Sequence, residues 1–146
     1  MESVKAIGCG EYHSMVVTRG DSGVYTCGFN SYGQLGLGDT RNQKHLTMVE
    51  YLNRRNTMVV AGGAQHSLVL TIEGLFSLGR NDSGQLGCTE RLSRDDWGAF
   101  EKLPMEVHLP VGAGNPRRMK CGSNHCLVMT DTHELYTTPD ASRARS

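Results

Sequence analysis

No apolar run in this 146-residue chain approaches the roughly 20 residues that cross a bilayer as a helix. The N-terminal Met1-Glu2-Ser3-Val4-Lys5 also lacks the apolar core of a signal peptide. The sequence therefore predicts a soluble, non-secreted chain with no membrane partner. Net charge is missing too: 15 Lys and Arg offset 15 Asp and Glu. No overall field draws the chain toward polyanions, which excludes a strongly basic nucleic-acid binder, and direct sequence-specific nucleic-acid contact is not expected. A sustained 3.6-residue period with helix caps is absent, so any helices should be short. No Gly-x-x-x-x-Gly-Lys-Ser/Thr loop, nucleophile elbow or Cys-His pair with a third catalytic member occurs. A self-contained active site, a cofactor and a bound metal are accordingly not expected. The five cysteines (9, 27, 88, 121 and 126) are odd in number and irregularly spaced. They do not make a disulfide framework and suit a reducing compartment, cytoplasmic or nuclear.

What the chain has is self-similarity. Gly10-Glu11-Tyr12-His13-Ser14 returns as Gly63-Ala64-Gln65-His66-Ser67 and again as Gly122-Ser123-Asn124-His125-Cys126. Asn30-Ser31-Tyr32-Gly33-Gln34-Leu35-Gly36 returns as Asn81-Asp82-Ser83-Gly84-Gln85-Leu86-Gly87. A spacing of about 50 to 60 residues between marker histidines belongs to propeller blades or other modular arrays. Between the markers lie short apolar runs bounded by glycine, such as Met58–Ala61, His66–Thr71 and Leu75–Gly79, which read as strands joined by tight turns. The expected architecture is all-β, with units of approximately 4–57 and 58–117, an incomplete unit 118–138 and a tail 139–146. Each unit cannot bury its apolar face alone, so function should lie on a composite surface. The Asn81-Asp82-Ser83 sequon is explained by the repeat, since its counterpart is Asn30-Ser31-Tyr32.

The repeated residues are expected to be scaffold. Gly33, Gly36, Gly84 and Gly87 supply positive φ or close backbone approach. Gln34 and Gln85 complete the same turns, Leu35 and Leu86 plug the core, and Asn30 and Asn81 bond backbone groups within the turn. His13, His66 and His125 recur at one phase of the unit, each after a glycine (Gly10, Gly63, Gly122). That recurrence fits a buried hydrogen-bonding strut better than catalysis, which needs one asymmetric constellation. Cys121 and Cys126 around His125 have the wrong spacing for paired zinc ligands, and strand alternation sends His125 and Cys126 to opposite faces. Arg54-Arg55 and Arg117-Arg118 read as ordinary exposed pairs. The sharper candidate is an eight-residue excess in the second unit, around Arg91, Arg94, Asp95, Asp96, Trp97 and Phe100. Aromatic and Arg residues dominate protein-binding hot spots, so Arg91, Arg94, Trp97 and Phe100 are the candidate partner contacts.

The full pattern, Gly-x-x-His-Ser, an apolar strand, a glycine turn, a strand ending in Gly, then Asn-x-x-Gly-Gln-Leu-Gly, resembles the regulator of chromosome condensation repeat family over residues 4 to 137. The resemblance implies a partial β-propeller of antiparallel blades, about two and a third repeats where a member closes a ring of seven. Ring closure removes exposed edges, so the remaining propeller blades are expected from the same or another chain. It further implies a platform for other proteins in a larger assembly, including cytoskeletal or ciliary ones, and no chemistry of its own. The alternative is part of a guanine nucleotide exchange factor for a Ran-type small GTPase, an activity that uses no covalent catalysis. A photoreceptor of the plant ultraviolet-B kind is disfavoured, because it depends on clustered tryptophans and this chain has only Trp97.

Overall fold

The computed structural model describes residues 3–87, 93–95, 98–138 and 142–143. Three antiparallel sheets follow one another along the chain. The first contains β1 (Val4–Cys9), β2 (His13–Thr18), β3 (Val24–Gly28) and β4 (Gln43–Met48), paired in chain order. After a 3-10 turn at Glu50–Leu52, the second sheet contains β5 (Thr57–Gly62), β6 (His66–Thr71) and β7 (Gly74–Arg80). It is completed by β8 (Ser93–Asp95) and β9 (Gly98–Val107), in the order β5-β6-β7-β9-β8. The third contains β10 (Pro116–Cys121), β11 (Cys126–Thr130), β12 (Leu135–Thr138) and β13 (Ser142–Arg143).

Each sheet is one blade, and the apolar residues meet between blades. Met15, Val17, Val24, Val49 and Leu52 of the first blade pack with Val60, Val69, Phe76 and Leu78 of the second. A second cluster joins Leu68, Leu70, Leu75 and Val107 to Met119, Cys126 and Val128 of the third. Strand alternation explains this division: Val69 looks back to the first blade and Leu68 and Leu70 look forward to the third. All six residues of β6 are buried, whereas β11, and β2 over its first four residues, alternate buried and half-buried. The middle blade is covered on both faces and its neighbours on one. Full burial of each Leu or Val contributes about 1.5–3 kcal/mol, so the two seams carry most of the apolar stabilisation.

Two strands, β4 and β9, escape sequence expectation. β4 reads Gln-Lys-His-Leu-Thr-Met and has no buried residue. β9 contains Pro104, which removes a ladder donor and is tolerated at edges or irregularities. Its pairing with β7 slips between Ser77 and Gly79. The Gly-Gln-Leu-Gly loops fold alike in both blades, with φ of +73° and +74° at Gly33 and Gly36 and +71° and +66° at Gly84 and Gly87.

Candidate functional site

The residues that recur in sequence converge on the seams. His13 begins β2 and His66 begins β6, and their rings lie against Gly10 and Gly63, where any Cβ would collide with the imidazole. Both histidines are buried, at 3% and 1% exposure. Each reaches the next blade: His13 Nε2 lies 2.8 Å from Ser67 Oγ, and His66 Nε2 lies 3.1 Å from Cys126 Sγ. Ser67 Oγ–H donates to the Gln34 carbonyl oxygen at 2.9 Å, so the same oxygen must accept from His13 Nε2–H. That fixes the tautomer and leaves Nδ1 bare, and neither His13 Nδ1 nor His66 Nδ1 has a hydrogen-bond partner among the described residues. A bare acceptor there costs less than a buried unpaired N–H. Burial pushes the pKa of both histidines down to about 4, the nearby His13 and His125 rings adding to the effect at His66. His125 is exposed. It sits over Gly122 as the other two rings sit over their glycines.

The loops after β3 and β7 are tied in parallel ways. Asn30 Oδ1 accepts from Leu35 N–H and Asn81 Oδ1 from Leu86 N–H, both at 3.0 Å. Gln34 Oε1 accepts from Tyr32 N–H at 3.0 Å, as Gln85 Oε1 does from Ser83 N–H at 2.8 Å. Thr26 and Ser77 hydroxyls donate to the carbonyls of Leu35 and Leu86, both at 2.8 Å. Leu35 and Leu86 are fully buried. These side chains are engaged in holding loops and blades together.

One expectation needs correction. Cys121 and Cys126, which the sequence left unpaired, are joined by a disulfide. They are cross-strand partners at the turn end of the β10–β11 hairpin, where a register pairing that the sequence alone does not give sets them side by side. The imidazole beside them belongs to His66 of the preceding blade, not to the adjacent His125. The Nε2 and Sγ atoms of His66, Cys121 and Cys126 lie within 4.8 Å of one another, a set that could bind a soft metal only with both sulfurs reduced.

The candidate partner contacts are only partly described. Arg91 and Trp97 lie outside the described residues, and Arg94 is placed by its backbone alone, paired with Ala99 in the β8–β9 hairpin. Phe100 is 8% exposed, leaving it little area for a partner. Arg55, of the first arginine pair, is tied in place: it bonds Glu73 at 2.7 Å and lies over the Tyr51 and Phe76 rings. Arg80, which the sequence reading passed over, links blades by stacking on Tyr32 at 4.9 Å while donating to Asp82 and Gln65.

Successive antiparallel blades, seams built from strand faces, and one histidine strut per seam define a β-propeller repeat module. Models of the regulator of chromosome condensation (RCC1) repeat match residues 21–70 and 74–129, and a second such model matches 4–34. The chain belongs to the RCC1 repeat family. These matches are out of phase with the blades: 21–70 starts before β3 of one blade and ends in β6 of the next, so one sequence repeat spans one seam. The mouse protein named "Probable E3 ubiquitin-protein ligase HERC4" is 42% identical over 133 residues, 90% of this chain but 12% of that protein. Human WBSCR16 superposes with a TM-score of 0.80 at 27% identity, covering 93% of this chain and 33% of the other. Yeast RCC1 (Prp20), solved bound to Kap60, gives 0.80 at 21% identity over 98% and 37%, a likeness of fold.

Proposed function

We propose that the chain is a non-catalytic protein-interaction segment of an RCC1-type propeller, flanked in its working form by further blades of the same kind. The observation that carries this is a seam position seen three times. Ile7, Val60 and Met119 occupy the same place in β1, β5 and β10. Val60 and Met119 are each 5% exposed against the preceding blade, while Ile7 is 72% exposed. The matching half-seam at the other end is exposed His125, in the pose of a strut with no acceptor among the described residues. Both faces are shaped for another blade, and an apolar face of this kind is a docking surface.

Partner proteins would meet the loops and the 88–100 insertion, because the repeat's polar side chains are engaged in the scaffold. Partners that the chain retains, identified by mass spectrometry, are expected to be lost by the Arg94→Ala, Trp97→Ala double variant with its circular dichroism unchanged. Equal retention would remove the insertion as a contact surface. Release of labelled nucleotide from a Ran-type GTPase is expected to be unaffected by the chain; acceleration by orders of magnitude would replace this reading with the exchange-factor one. Ligase activity named for HERC4 is not proposed for a segment that spans 12% of that protein.

A further inference from the structure

The three hairpins that open the blades carry three different pairs at one cross-strand position: Cys9 with Ser14, Gly62 with Ser67, and Cys121 with Cys126. The first two hairpins close without a covalent bridge, so the fold does not require one in the third. The bridge is also lopsided. Cys126 is fully buried and Cys121 is half-buried at the end of β10. The buried sulfur stands where Ser67 stands in the preceding seam, 3.1 Å from His66 Nε2. A disulfide sulfur carries no hydrogen, so His66 must be the donor, and its neutral ring keeps one N–H aimed at Cys126.

We propose that Cys121, Cys126 and His66 form a thiol–disulfide exchange site, in which a low-molecular-weight thiol attacks Cys121 and the His66 N–H stabilises the departing Cys126 sulfur. In the first step the incoming thiolate bonds to Cys121 Sγ, the protein S–S bond breaks, and its electron pair leaves on Cys126 Sγ as a thiolate. In the second, another thiolate attacks the small-molecule sulfur of the mixed disulfide and Cys121 departs as a thiolate. The protein pair is reduced by two electrons, two small thiols are oxidised to one disulfide, and the two cysteine thiolates take up the two protons released. Attack on Cys121 follows from access. A hydrogen bond to the leaving sulfur lowers its basicity and speeds its departure. Reduction returns to position 126 a group that can donate as Ser67 does, so the oxidation state is felt at the seam.

The test uses the oxidised 146-residue chain and reduced glutathione as the thiol. After a short pulse quenched in acid, mass spectrometry is expected to place glutathione on Cys121 and none on Cys126. The Cys126→Ser chain, treated with oxidised glutathione, should hold the Cys121 adduct. His66→Asn should slow reduction roughly tenfold, with alkylation of exposed Cys9 and the far-ultraviolet spectrum unchanged. An adduct on Cys126 in the wild-type chain would overturn the proposal without reliance on any variant. So would an unchanged rate in a folded His66→Asn chain, or a pair that stays reduced in oxidised glutathione.

Discussion

The seam between the first and second blades and the seam between the second and third use one plan with different atoms. Both set an apolar strand residue, Val60 or Met119, into the preceding blade, and both cross from a buried histidine to the second strand of the next blade. In the first the acceptor is a hydroxyl that relays to Gln34 O; in the second it is a disulfide sulfur. The backbones also meet differently. Glu11 N–H donates to Gly63 O at 3.3 Å in the first, whereas Ala64 N–H donates to Ser123 O, one repeat position further on, at 3.0 Å in the second. The first seam has no room at Gly62, where a Cβ would lie 2.6 Å from the Cys9 carbonyl and Gly10 N. The other accepts Cys121 at that position. The fold therefore demands apolar filling and one histidine strut per seam, and leaves the strut's partner free to vary.

The largest effect should separate a filled seam from an open face. Met119→Ala removes a residue buried at 5% exposure and is expected to cost about 2–5 kcal/mol in urea denaturation. Ile7→Ala, the equivalent change at 72% exposure, should stay within about 0.5 kcal/mol. Equal costs would mean that the Ile7 face is already filled in solution by another copy of the chain, and the comparison between open and filled positions would break.

Acid should weaken both struts together. The two histidines have folded pKa values of about 4 against 6.5 for the free side chain. Between those values the unfolded state binds protons that the folded state refuses. The stabilisation is complete above about pH 6.5 and is lost as pH falls toward 4, with a slope near 1.4 kcal/mol per pH unit for each histidine. Denaturation midpoints followed from pH 7 to 4.5 should show it, and His13→Gln should reduce the slope. A flat profile would mean that the struts are hydrated and not buried.

Much of this was legible because a repeat reports its own constraints. Gly10 and His13 recur together since the ring rests on the glycine, and Gly-Gln-Leu-Gly recurs since the loop needs positive φ at both glycines and one buried leucine. The inner strands β2, β6 and β7 announce themselves through apolar runs. β4 and β9 do not, because a strand with polar residues or a proline resembles a loop in composition. The Cys121–Cys126 bridge was hidden because pairing depends on register across a hairpin, and the His66 contact because it joins residues 60 apart through the stacking of blades. One trace was present: Cys126 stands where the two earlier units carry Ser14 and Ser67.

The smallest effect sharpens the comparison most. Ser67→Ala leaves His13 Nε2–H and Gln34 O without their partner and should cost about 1–3 kcal/mol. Ser67→Cys gives the first seam the atom of the second. Thiol hydrogen bonds are weak but present, so the loss should be under about 1 kcal/mol, the remainder being recovered by a sulfur still able to accept from His13. No bridge can form, since the residue opposite is Gly62. Equal losses for alanine and cysteine would show that the second seam's sulfur contributes only through its covalent bond. A smaller loss for cysteine would show that the His–Cys contact is a strut in its own right, held in either oxidation state.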